Sequence, residues 1–205
     1  MVTIDDLDHT VAAIIGSRGS DLGPLADEYR HVGVAPPSIV LDPGPDDIPL
    51  LPHRELLALW RRLIDGNVPP HVGSLTPFVL APFLGRLVLL DPVAAGEDFR
   101  YRLYGVIVAD YAGFDLTGKL LSEVAEMSVW PMQVHHYYLA TYRAVLRARL
   151  PLYSSQRLTA NNKPYVWQRL LVPFAGNDGS IARLVMLTIP CSLQGEPLEA
   201  WEIQD

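Results

Sequence analysis

Apolar residues recur at two periods along this 205-residue chain, and the change of period organises it. Leu7–Ile15 and Leu22–Tyr29 fit two helices separated by Gly16-Ser17-Arg18-Gly19-Ser20. Ala35–Pro52, with six prolines and Gly44, reads as an extended connector. In His53–Asp65, Leu56, Leu59, Trp60 and Leu63 recur at i, i+3, i+4 and i+7, which predicts an amphipathic helix with Arg61 and Arg62 turned away and Gly66 as its stop. After an Asn67–Ser74 loop, Pro77 starts a short helix that Thr76 caps.

From Arg86 the period becomes two. Arg86–Asp91 and Phe99–Tyr104 predict an antiparallel hairpin across a Val93–Asp98 turn, with Phe99, Tyr101 and Leu103 on one face and Arg100, Arg102 and Tyr104 on the other. Val106–Ala112 and Leu120–Val124 form short helices around Leu116-Thr117-Gly118. Val134–Arg149 is a longer helix with Tyr138, Tyr142, Val145 and Leu146 on its apolar face, and Arg143, Arg147 and Arg149 suit its C-terminal dipole. Leu152–Thr159, Tyr165–Phe174 and Ile181–Ile189 then make a three-stranded meander with turns at Ala160–Pro164 and Ala175–Ser180. Five antiparallel strands with helices gathered on one face amount to an α+β fold. The expected boundaries are 1–52 for an acidic N-terminal helical extension and Pro-rich connector, 53–190 for the main domain and 191–205 for a C-terminal tail.

Charge adds to this division. The net charge of −7 resides in residues 1–52, where nine acids face two bases, and the remainder is neutral. An acidic arm repels phosphate backbones, so nucleic acid is not an expected partner. The N-terminus carries acids where a secretory signal needs positive charge, and Pro82, Gly85 and Arg86 interrupt the most apolar region, so the expectation is a cytoplasmic chain outside the membrane. The single Cys191 agrees with a reducing compartment.

The order of elements, together with Leu59-Trp60, Phe99-Arg100-Tyr101-Arg102-Leu103-Tyr104-Gly105 and Gly113-Phe114-Asp115-Leu116-Thr117-Gly118, resembles a PAS domain. More narrowly it is similar to a bacterial family of small stand-alone PAS proteins, with Leu150-Pro151-Leu152-Tyr153 and Leu171-Val172-Pro173-Phe174 fitting as well. The resemblance covers about residues 53–190. It implies a five-stranded antiparallel sheet, a cavity under the longer helix, and work as a sensor or dimerisation module. Relatives often carry a Thr after the glycine matched by Gly105, where this chain has Val106.

Reaction chemistry finds little support in the residues. His135 and His136 are adjacent on a helix and point about a hundred degrees apart, so they do not share a metal. A haem ligand from one of them is an alternative without local support. Val106–Ala112 holds no cysteine, which argues against flavin photochemistry of the light-sensing PAS kind. No Gly-x-Ser-x-Gly elbow occurs, and Leu120 stands where a phosphate loop needs its hydroxyl after Gly113, Gly118 and Lys119. Gly105, Gly113 and Gly118 therefore read as turn positions. Arg100 and Arg102 either face solvent, reach an Asp such as Asp91 or Asp115, or bind an anionic ligand.

The aromatic residues are the ligand-binding candidates. Tyr101, Tyr111, Trp130, Tyr138, Tyr142 and Trp167 come from elements that a PAS fold gathers around one interior, and Gln168 adds a polar handle. The expected function is a non-catalytic sensory module that binds a small, mainly apolar molecule. Its expected partners are that ligand, a protein carrying the output and a second copy of the chain; no cofactor or metal is named by the residues. The alternative is a ligand-free dimerisation or interaction module using the Trp60 helix and the acidic arm. An enzyme on a cone-shaped α+β fold is the third reading.

Overall fold

The computed structural model describes residues 4–64, 69–160 and 163–198. The Gly66 stop, the Asn161-Asn162 part of a turn and the tail from residue 199 lie outside them. Its elements are α1 (Ile4–Ser17), α2 (Pro24–His31), β1 (Ser38–Leu41), α3 (Leu51–Arg62), α4 (Pro77–Leu80), β2 (Leu87–Val93), β3 (Asp98–Tyr104), α5 (Val106–Ala112), α6 (Leu121–Glu126), α7 (Met132–Ala148), β4 (Leu152–Ala160), β5 (Lys163–Ala175) and β6 (Ile181–Cys191). The strands form one antiparallel sheet in the order β1-β4-β5-β6-β2-β3.

The α+β architecture is the expected one, with two differences. The sheet has six strands, because Ser38–Leu41 of the proline-rich connector pairs with Leu152–Ser155 at the β4 edge. Its short apolar run, Ile39-Val40-Leu41, sits between prolines that mask a strand signal. Helices also cover both faces. On the inner face α1, α2, α5, α6 and α7 share one core with Val88, Leu90, Trp167, Leu171 and Met186, whereas α3 packs on the outer face with Leu87, Leu170, Val172 and Val185. Successive strand residues point to opposite faces, so a sheet covered on both sides is apolar nearly throughout.

The N-terminal helices are tied to α7 as well as packed on it. Asp8 accepts from Arg147 at 2.6 Å and Glu28 meets His136 Nδ1 at 2.9 Å. On α3 the buried positions are His53, Leu56, Leu57 and Trp60, and Leu59 and Leu63 lie at the margin. Trp60 donates its indole N–H to the Pro173 carbonyl at 2.7 Å, so this side chain is committed to the sheet and is not free for a partner.

A β-bulge in the β2–β3 pair rearranges the expected faces. Leu103 lies opposite Leu89 but Tyr101 lies opposite Leu90, which leaves Arg102 as the extra residue. As a result Tyr101 and Tyr104 both reach the inner core, and Leu103 turns to the outer one. The Leu116-Thr117-Gly118 segment splints this irregular strand. Thr117 Oγ1 accepts from the Tyr104 amide at 3.1 Å, and Gly118, at φ +87°, donates its amide to the Tyr101 carbonyl at 2.6 Å. Gly105 has a different reason. Its φ of −59° suits any residue, but an added Cβ would sit 2.4 Å from the Gly85 carbonyl oxygen.

His53 is fully buried, with Nε2 3.1 Å from the Leu187 carbonyl, which fixes the tautomer carrying the proton on Nε2. Burial holds its pKa down at about 4, against a smaller opposing pull from that carbonyl. The unfolded chain therefore binds a proton that the folded one refuses. The resulting stability is complete above the ordinary pKa of 6.5 and is lost as pH falls from there to about 4. Urea titrations should show unfolding free energy dropping by ~3 kcal/mol over that interval. In His53→Phe this part of the acid limb should vanish.

Candidate functional site

Between α7 and the inner face of the sheet lies a cavity of about 200 Å³. Its wall draws Tyr101 and Tyr104 from β3, Val108 and Ala112 from α5, Tyr138 and Tyr142 from α7, Trp167 and Arg169 from β5, and Met186 and Thr188 from β6. Phe114 and Trp130 complete the wall, and exposed Thr159 with half-buried Ala160 and Trp130 places its mouth by the end of β4. The rings form a continuous shell. Centroids of Phe114 and Trp130 are 5.7 Å apart, Trp130 and Tyr138 4.7 Å, and Tyr138 and Tyr142 6.0 Å. Such separations are those of ring packing, so the shell is held by its own contacts.

Five of the seven candidate residues, Tyr101, Trp130, Tyr138, Tyr142 and Trp167, line this cavity. Tyr111 is buried nearby against Tyr165, edge to face at 5.4 Å, and does not line it. Gln168 points the other way and accepts from the Tyr153 hydroxyl at 2.6 Å. Strand geometry required this, because Trp167 and Gln168 are neighbours and cannot share a face. The same alternation running from Trp167 to Leu171 leads to Arg169, a residue that selection by aromatic type passes over.

Arg169 is the chemical centre of the cavity. Its side chain is 3% exposed, yet no carboxylate pairs with it among the described residues. One Nη donates to the Tyr138 hydroxyl at 2.5 Å and the other reaches Gln156 Oε1 at 3.4 Å. The guanidinium carbon lies 4.9 Å from the Tyr138 ring centroid and 5.7 Å from that of Trp167, so ring faces supply part of its stabilisation. Gln156 in turn donates to the Tyr29 hydroxyl of α2, which links the cavity to the N-terminal helices through buried hydrogen bonds.

Several buried polar atoms of the lining residues have no hydrogen-bond partner among the described residues. They are Trp167 Nε1, Thr188 Oγ1 and the hydroxyls of Tyr101 and Tyr142. The two hydroxyls approach one another without meeting at hydrogen-bonding geometry. Burial raises the pKa of Tyr101, Tyr104 and Tyr142 well above the ordinary range and pushes Tyr138 up to about 12 despite the opposing pull of Arg169. These phenols are neutral throughout the physiological range and do not act as counter-ions.

The other polar candidates are occupied elsewhere. Arg100 donates to the Gly118 carbonyl at 2.9 Å, and Arg102 lies 3.5 Å from Asp91 on the surface. Neither lines the cavity. His136 is engaged with Glu28, and the described residues hold no cluster of three or more His, Cys, Asp or Glu side chains suited to a metal. Cys191 is buried, which pushes its thiol up to about 11. Val106 is exposed, so its lack of a hydroxyl does not alter the cavity.

Residues 50–188 match a family model described as PAS domain. No curated protein matches the chain. A solved structure described as that of an RNA-binding light-oxygen-voltage receptor is similar at 13% identity and a TM-score of 0.42, over 91% of this chain and 48% of that one. The chain thus spans about half the length of that structure, and the similarity is too low to bear on ligand or partner. Among the described residues no helix is long and apolar enough to cross a membrane.

Paired and unpaired phenols on one helix should respond differently to loss of oxygen. Tyr138→Phe strips a charged donor of its acceptor and should cost about 1–3 kcal/mol in urea unfolding, whereas Tyr142→Phe removes an unpaired hydroxyl and should be neutral or stabilising.

Proposed function

The chain belongs to the PAS domain family, a family of sensory modules, and from that premise we propose that it binds a small, mainly apolar molecule under α7 and passes its occupancy to a protein that carries the output. The observation that carries this reading is the cavity of about 200 Å³ between α7 and the sheet, lined mainly by buried aromatic and aliphatic side chains. A cavity of about 150 Å³ already holds benzene, so the volume suits one ring with a short substituent. Trp167 Nε1 and Thr188 Oγ1 add to it, because buried polar groups in native proteins normally have partners.

Tyr29 and Gln156 supply the route by which occupancy reaches the N-terminal helices. A ligand that displaces Arg169 changes the bond to Gln156 and so the seat of α2 on the core. In this reading residues 53–190 are the sensory unit, residues 1–52 its transmitting arm, and 191–205 a tail. The protein acts in the cytoplasm without catalysis of its own, and a wall whose one charged side chain among the described residues is Arg169 supports the second of these. A second reading, a ligand-free dimerisation module, draws on the exposed apolar Phe78, Leu84 and Val106.

A thermal-shift and native mass spectrometry screen with single-ring acids, amides and alcohols tests both. A ligand at a hundred times its Kd should raise the melting temperature by about 5–10 °C, and Ala112→Leu, which fills the cavity, should abolish the shift. If no compound binds, and light scattering finds a dimer that Phe78→Ser dissociates, the second reading replaces the first.

A further inference from the structure

We infer that the ligand is a monoanion, a carboxylate carried on a single ring, and that Arg169 receives its charge. This rests on the cavity being a ligand site. Burying an ion without an opposite charge is unfavourable by several kcal/mol, and removing guanidinium from water is tolerated when its donors find acceptors. A guanidinium carries five N–H donors. Here one Nη is directed at Tyr138 and the other reaches Gln156 only over 3.4 Å, both neutral acceptors, so the charge on the cavity wall has no anionic partner among the described residues.

The rest of the wall has the same polarity. Trp167 Nε1 can only donate, and it has no acceptor among the described residues. Thr188 Oγ1 likewise has no partner among the described residues and can turn its proton inward. No carboxylate lines the cavity among the described residues, and burial keeps the phenols neutral. The site thus offers donors and one positive charge, and the missing component is a compact group of acceptors with one negative charge. A carboxylate satisfies this in a bidentate manner with a planar fork.

The surroundings select the charge and the body of the ligand. One cation with no lysine, glycine-rich loop or second arginine beside it among the described residues matches a single negative charge and leaves a phosphate dianion half compensated. The remainder of the wall is aromatic and aliphatic, with Val88, Val108, Ala112 and Met186 among the rings, which suits a flat apolar body.

The test compares benzoate with benzamide, its neutral isostere, by calorimetric titration of the full chain. Benzoate should bind at least about tenfold more tightly, since hydrogen bonds to charged groups are the stronger class. Arg169→Gln should lower benzoate affinity at least about tenfold and change benzamide affinity less than about threefold. Arg169→Lys serves if the first variant does not fold, and should keep the preference for benzoate at reduced affinity; the wild-type ratio stands independently of either. Equal binding, or preference for benzamide, overturns the anionic assignment while the cavity still stands as a ligand site. Binding of neutral compounds alone in the wider screen overturns it in the same way. If acids and neutral compounds alike fail, the ligand-site reading falls and takes this assignment with it.

Discussion

An arginine placed under a helix, with no acid beside it among the described residues, constrains everything around it. Its charge has to be offset by ring faces, a phenol oxygen and an amide oxygen, and these come from α7, β5 and β4 at once. Tyr138 has two roles, packing against Trp130 and Tyr142 while its oxygen accepts from Arg169. The gap between helix and sheet is thus bridged by a polar contact between β5 and α7.

The two-sided core explains why the sheet can carry this charge. Along β5, Trp167, Arg169 and Leu171 face inward while Gln168, Leu170 and Val172 face outward, the last two into the core shared with α3. The outer layer is closed by Trp60 and His53, each bonded to a strand carbonyl, so the sheet is a rigid floor. On the other side the N-terminal helices, which precede the matched family region, are fused to α7 by apolar packing and by the Arg147–Asp8 and His136–Glu28 contacts. The buried bonds from Arg169 through Gln156 to Tyr29 cross from the cavity to that added layer, so the two share a common network.

Much of this was legible along the chain. The long helix, the terminal meander, the hairpin and the glycine-punctuated segment all occur where their periods predicted, because each has a local repeat and flanking turn residues. The aromatic set converged for a similar reason: large rings on the buried faces of several elements must meet in one interior. Gln168 and Tyr111 do not belong to the site that residue type suggested for them. Strand parity sends the first outward, and packing against Tyr165 seals in the second.

By itself the sequence determined the class of fold, the apolar face of α7 and the turn positions at Gly113 and Gly118, since these follow from short-range sterics and periodicity. Only the tertiary structure decided three things. Pairing across more than a hundred residues made a strand of Ser38–Leu41, and one bulged residue sent Tyr101 and Tyr104 to the same face. The third is the meaning of Arg169. In a strand it reads as an exposed cation, because charge on alternate positions normally faces water. Whether an acid neutralises it depends on what the surrounding helices and strands bring beside it, and that is a property of the assembled interior alone.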